Sequence, residues 1–288
     1  MLVSGRPDHA TVLTEAPIGI FDSGIGGLSV LRHVHALLPA EELIYFADSG
    51  FAPYGDKPED VVVARALAIA AFLLKFHIKA MVVACNTATA AAIAALRVRY
   101  PQLQVVGVEP GLKPAAAQTR SRVVGVLATE RTLSSTKFRA LQEHITAASG
   151  VRFLPQACTG LANQIEKGEL SAPDTAALVQ RYVAPLLASG ADTLVLGCTH
   201  YPFVLPLIEQ VGARAGKAVG LIDTGAAVAR QLQRLLYEAQ WLRPAAPKPL
   251  PLSAYTTGSR TALSTAFYTL LGMQATVEEV SLATGSAA

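Results

Sequence analysis

The pattern that most restricts the fold of this chain is a recurring pair: a short, continuously apolar run rich in β-branched residues, then a longer stretch with helical spacing. The strand-like runs are Ile18–Phe21, Leu43–Phe46, Ala80–Ala84, Val105–Val108, Val123–Leu127, Arg152–Leu154, Thr193–Leu196 and Val219–Ile222, with a further one near Ala254–Thr256. Between them lie helical stretches such as Leu28–Leu38, Pro58–Phe76, Ala88–Arg99 and Thr175–Ala188. A strand with one wet face alternates apolar and polar residues, whereas a strand covered on both faces has no polar side to show. Apolar runs separated by helices therefore predict an α/β fold of parallel sheet with helices on both faces.

At 288 residues, 51% apolar and 16% charged, the chain is long enough for two such domains with an ample core. The net charge is only +3, and no Lys/Arg cluster suggests a nucleic-acid partner. Arg32-His33-Val34-His35 reads as the solvated face of a helix. The opening MLVSGRPDHATVLTEAP lacks the apolar core of a signal peptide, and no run approaches the roughly 18 apolar residues of a membrane span. A cytoplasmic enzyme with no membrane partner is the expectation. The end segments Met1–Ala16 and Thr284–Ala288 read as unstructured. Cys85, Cys158 and Cys198 form no disulfide framework, so free thiols are expected.

Ligands of parallel α/β sheets bind beyond the carboxyl ends of the strands. The residues there are Asp22-Ser23-Gly24, Asp48-Ser49, Cys85-Asn86-Thr87, Glu109-Pro110, Thr129 and Cys198-Thr199-His200, nearly all polar or reactive. Moreover, Met81-Val82-Val83-Ala84-Cys85-Asn86-Thr87 aligns with Leu194-Val195-Leu196-Gly197-Cys198-Thr199-His200. The two cysteines are far enough apart to belong to separate domains, and two similar units facing each other would set two thiols across one cleft. Cys158 has no matching unit and reads as inert core. Cys85 and Cys198 both read as opening helices, where the helix N-terminus favours thiolate.

Inverting a carbon beside a carboxylate needs a base on one face and an acid on the other, and two thiols of opposite protonation state supply both. Asp22 is a candidate proton helper for Cys85, with helix capping as the alternative. His200 is the candidate for Cys198. The glycine turn after Asp22 is a weak match to a dinucleotide loop. Asp48 ends the second strand where a ribose-binding acid would sit, but the third glycine position holds Ser29 and Asp22 would face the pyrophosphate. A small anion such as an amino-acid carboxylate suits the turn better. One cysteine as a covalent nucleophile leaves the other unexplained. A zinc site lacks close cysteine pairs. From another class, the chain could be a catalytically silent binding module.

Four ordered segments resemble the glutamate racemases of bacterial cell-wall synthesis: Phe21-Asp22-Ser23-Gly24-Ile25-Gly26-Gly27-Leu28-Ser29-Val30-Leu31, Pro53-Tyr54-Gly55, Val83-Ala84-Cys85-Asn86-Thr87-Ala88 and Leu196-Gly197-Cys198-Thr199-His200-Tyr201-Pro202. The resemblance implies two similar parallel-sheet domains related by a pseudo-two-fold axis, residues 17–110 with 222–284 and residues 111–221, and a site in the cleft between them. It implies cofactor-independent interconversion of L- and D-glutamate for peptidoglycan, and a homodimer. Cys85 and Cys198 become the bases, assisted by Asp22 and His200. Glu166 matches a further acid of the family's site; on the residues alone an exposed helix acid reads equally well. Substrate contacts would fall to Asp22, Ser23, Pro53, Tyr54, Gly55, Asn86, Thr87, Thr129, Thr132, Thr199 and His200. Aspartate racemases share the two-cysteine plan; His200 and the Asp22–Gly27 opening favour glutamate.

Overall fold

A computed structural model describes residues 13–244, 250 and 252–282. Along the chain run β1 (Ile18–Asp22), α1 (Leu28–Leu37), β2 (Leu43–Ala47), α2 (Glu59–Leu73), β3 (Ala80–Val83), α3 (Asn86–Arg99) and β4 (Gln104–Gly107). Next come α4 (Leu112–Gln118), β5 (Val123–Ala128), α5 (Glu130–Ser134), α6 (Thr136–Ser149), β6 (Arg152–Ala157), α7 (Leu161–Glu166), α8 (Pro173–Ala188), β7 (Thr193–Gly197), α9 (Leu205–Arg214) and β8 (Gly220–Ile222). The chain then returns through α10 (Gly225–Glu238), β9 (Leu252–Thr256), α11 (Arg260–Leu271) and β10 (Thr276–Glu279).

Two parallel sheets result, ordered β10-β9-β2-β1-β3-β4 and β6-β5-β7-β8. The run β2-β1-β3-β4 of the first repeats as β6-β5-β7-β8 in the second, so β3 and β7 occupy equivalent places. The two-residue period of a strand sends alternate side chains to opposite faces. Ile18 and Ile20 of β1 join a core with α1, α10 and α11, while Phe21 joins another with α2 and α3. In the second sheet Val124 and Val126 pack toward α4 and α6, and Leu127 packs toward α7, α8 and α9. Helices cover both faces of both sheets, which is why the strands read as unbroken apolar runs.

Chain passage between the sheets occurs at 108–111 and returns at 223–224. These crossings lie side by side: a side chain on Gly111 would fall 2.5 Å from Ile222 Cγ2 and 3.2 Å from Thr224 Cγ2.

Some expectations need correction. The Arg32–His35 stretch is not a free solvated face, because Val34 is buried and Asp223 holds Arg32 at 3.2 Å and His33 at 3.5 Å. At the start of the chain, residues 13–15 form a helical turn and Ala16 is buried, so that part of the tail is ordered. The expectations for 1–12 and 284–288 lie outside the described residues. Strand β10 was not anticipated, since it buries only Val277. No helix among the described residues is long and apolar enough to cross a membrane.

Candidate active site

Strand order reverses around β1 and β3 in one sheet and around β5 and β7 in the other, which opens a crevice at the strand ends of each. Asp22 closes β1, Cys85 follows β3, Thr129 follows β5 and Cys198 follows β7. Cys85 opens α3 and its sulfur accepts the Ala88 N–H at 3.4 Å. Cys198 instead enters a turn and a short 3-10 segment, Tyr201–Val204, so the expected helix start is absent there.

The Cys85 thiol faces Ser23 Oγ at 3.8 Å, and Ser23 donates to Asp22 Oδ1 at 3.2 Å. The same Asp22 oxygen accepts the Gly24 N–H at 2.9 Å, and Oδ2 accepts the Thr199 hydroxyl at 2.8 Å from the other sheet. Asp22 does not cap α1, whose cap residue is Gly27 with no side-chain bond. Burial pushes the Asp22 carboxyl up, although His200 and the Thr199 and Gly24 donors pull it back. Burial also pushes the Cys85 thiol up, and the nearby charges of Asp22 and Cys198 add to this. The helix-start N–H of Ala88 does favour thiolate, as expected, but desolvation outweighs it and the net shift at Cys85 is upward.

On the other side Cys198 Sγ lies 3.6 Å from His200 Nδ1, and His200 Nε2 lies 2.7 Å from Glu166 Oε2. Glu166 reaches across to the first sheet's lobe. It accepts the Ile25 N–H at 3.2 and 3.0 Å on its two oxygens and the Ser49 hydroxyl at 3.0 Å. The exposed-acid reading of Glu166 is thus excluded. Burial opposes its charge, yet His200, Ile25 and Ser49 together hold its carboxyl below the ordinary carboxylate value. Burial opposes the His200 charge too, but the bonds to Cys198 and Glu166 outweigh it and hold the imidazole well above its usual range.

Glycine is required where these pieces meet. A Cβ on Gly24 would fall 2.3 Å from the Glu166 carboxylate, and one on Gly26 would fall 2.4 Å from His200 Nδ1 and 2.6 Å from Thr199 Oγ1. The glycine turn is the surface against which the second lobe's acid and imidazole are seated, not a phosphate loop.

The other anticipated residues divide into groups. Thr87 Oγ1 meets Thr129 Oγ1 at 3.0 Å and Thr132 Oγ1 at 3.4 Å, a hydroxyl cluster between the lobes. Asn86 is buried and its amide nitrogen has no hydrogen-bond partner among the described residues. Tyr54 is also buried, but its hydroxyl is committed to Asp48, which further accepts from Arg65 at 2.9 and 2.6 Å and from Thr257 at 2.7 Å. Pro53 follows a cis peptide bond, and Gly55 lies against Thr129. Cys158 is core: its sulfur donates to the Gln156 carbonyl at 3.5 Å, and burial pushes its thiol up to about 12. Sequence reasoning missed the Ile25 N–H, whose part depends on backbone direction and leaves no residue-type signal. It also missed Tyr45, whose buried hydroxyl holds the Gly24 carbonyl at 2.6 Å.

Both thiols are nearly closed off, at 5% exposure for Cys85 and 7% for Cys198. A cavity of about 800 Å³ lies elsewhere, against Arg97, Glu109, Lys113, Lys137 and His144, and touches neither thiol. Perturbed groups of opposite tendency cluster at the thiols, which marks this seam rather than the cavity as the candidate active site. Among the described residues no group of three or more His, Cys, Asp or Glu side chains is arranged to hold a metal ion.

Residues 18–232 match the family model for Asp/Glu/Hydantoin racemase. The chain belongs to this racemase family. It is 54% identical over 265 residues to the glutamate racemase of Ectopseudomonas mendocina (strain ymp), covering 92% of this chain and 98% of that one. Its structure is similar to a crystal structure of a glutamate racemase isoform from Bacillus anthracis, with a TM-score of 0.82, 31% identity and coverage of 93% and 98% of the two chains. A glutamate racemase from Francisella tularensis solved in complex with D-glutamate matches with a TM-score of 0.80 and 29% identity, over 94% of this chain and all (100%) of that one. Among its relatives the chain thus stands with the glutamate racemases, which are isomerases.

Proposed function

We propose that this chain interconverts L- and D-glutamate without a cofactor, using Cys85 and Cys198 as opposed acid and base, and so supplies D-glutamate for peptidoglycan. The observation that carries this reading is the pairing of two thiols at equivalent strand ends, each with its own proton relay. Cys85 is connected through Ser23 to Asp22, and Cys198 through His200 to Glu166. The lobes act as domains 17–110 with 222–284 and 111–221, and the substrate lies between them.

In one direction a sulfur removes the α-proton, the electron pair stays on the substrate and spreads into its carboxylate, and the opposite thiol returns a proton to the far face. In the other direction the roles exchange. Each positioned transfer contributes about 10²–10⁴-fold. The high proton affinity of Cys85 suits it to rest as the acid. Donors at Asn86, Thr87, Thr129, Thr132, Thr199 and the Ser23–Gly24 turn suit a zwitterion with an extra carboxylate, and backbone N–H groups stabilise the developing charge. The unpartnered Asn86 amide is one such donor in waiting.

The test is incubation with L-glutamate in D₂O, following optical rotation and α-deuterium. Wild type is expected to lose rotation and gain deuterium, while Cys85→Ser and Cys198→Ser each lose racemisation by at least about 10²-fold. A wild type inactive on glutamate removes the reading, and faster turnover of aspartate removes the substrate assignment.

A further inference from the structure

Glu166 is the carboxylate that holds His200, yet two of its three donors, the Ile25 N–H and the Ser49 hydroxyl, come from the opposite lobe. The Ser49 hydroxyl is the only side chain of that lobe recorded as donating to it among the described residues, at 3.0 Å to Oε1. Ser49 is no loose surface serine. It follows Asp48, which is buried and fixed by Tyr54, Arg65 and Thr257. Behind it Gly258 sits so close that a Cβ there would fall 2.9 Å from Ser49 Cβ. The end of β9 and the helix α2 therefore brace the backbone that aims Ser49 across the cleft.

A hydroxyl at that distance has one proton to give, and the carboxylate oxygen is its acceptor, so the bond favours ionised Glu166. Ionised Glu166 in turn fixes the ring of His200 and favours its charged form, and His200 addresses Cys198. We propose that Ser49 is a positioning residue for the proton transfers at Cys198, acting from the opposite lobe through Glu166 and His200. The inference rests on the racemase reading. It adds that the Cys198 relay is complete only when the lobes are together, because Ser49 and Ile25 belong to one lobe and Glu166, His200 and Cys198 to the other.

Glutamate enantiomers have equal free energy, so kcat/KM must be the same in both directions for any variant. Ser49→Ala is expected to lower both by about tenfold, the effect of one hydrogen bond to a charged group. What separates positioning from mere structure is the isotope effect of α-deuterated substrate. For the enantiomer whose α-proton Cys198 removes, the effect on kcat/KM rises in Ser49→Ala, because that transfer has become slower. For the mirror enantiomer it falls, because reprotonation by Cys198 now limits. Ser49→Thr, which keeps the hydroxyl, restores both values. Isotope effects that stay put or move together in Ser49→Ala overturn the proposal.

A second readout needs no turnover: the NMR titration of His200 is expected to shift to lower pH in Ser49→Ala, and an unshifted midpoint also overturns the proposal. A wild type that does not racemise glutamate removes the proposed function and this role with it, whereas a racemising wild type whose Ser49→Ala isotope effects or titration stay put overturns this proposal alone.

Discussion

At the scale of single residues, the site is defined by how burial is answered. Asp22, Cys85 and His200 are all buried and all hold a proton more tightly than usual, Asp22 and Cys85 through desolvation and His200 through its bonds to Cys198 and Glu166, which outweigh desolvation. The Glu166–His200 pair makes stability depend on pH. Glu166 is held below its ordinary 4.5, so its contribution is present above that pH and is lost as pH falls through the folded value. His200 is held well above 6.5, so its contribution is complete below 6.5 and is lost as pH rises through the folded value. Glu166→Gln is therefore expected to cost about 1.5–3 kcal/mol, with the largest gap from wild type between the ordinary values of 4.5 and 6.5. Chemical denaturation across that range checks it; a gap that does not change with pH would mean the pair carries no charge. His200 could be read from its place beside Cys198 in the sequence. Glu166 could not be read from residue type, because a contact 34 positions away depends on the fold; only the family resemblance pointed to it.

At the scale of elements, the strands were legible because helices cover both sheet faces, which removes the polar alternation that would have blurred them. The exceptions have a physical cause. β10 is an edge strand with one buried side chain, and β6 opens on the exposed Arg152 and carries Pro155 and Gln156 beyond Phe153 and Leu154. The glycine turn was legible as a turn but not as a seat, since nothing in Gly24 or Gly26 announces the second lobe. The brace around Asp48 escaped the reading for the same reason: Arg65 on α2 and Thr257 after β9 are ordinary residues until the fold brings them together. Arg65 is 3% exposed and its partner fully buried. Removing it strands a buried charge, which costs about 3–5 kcal/mol. Arg65→Ala is expected to lose that much in urea unfolding, and to slow racemisation because the Ser49 and Tyr54 segment loses its anchor. A cost under 1 kcal/mol would show that Asp48 is served by Tyr54 and Thr257 alone.

At the scale of the whole molecule, each lobe contributes one thiol and part of the other's surroundings. Thr199 reaches Asp22, and Glu166 reaches Ile25 and Ser49, so the lobes are bound by the same groups that form the two proposed proton relays. Both thiols are nearly closed off at this seam. The adjacent crossings at Gly111 and at Ile222–Thr224 have a further consequence. A segment whose two ends emerge at one point is an insertion, and the remainder of the chain runs past it almost without noticing. Residues 111–222 excised as a separate polypeptide are expected to melt cooperatively, with parallel α/β circular dichroism. The remaining chain, rejoined across the gap by a short glycine linker, is expected to keep its six strands. Neither piece would racemise, since each retains a single thiol of the pair. Failure of both pieces to fold would mean that the lobes lend each other stability as well as chemistry. Success would mean that the enzyme is two self-sufficient sheets whose catalysis arises only at their seam.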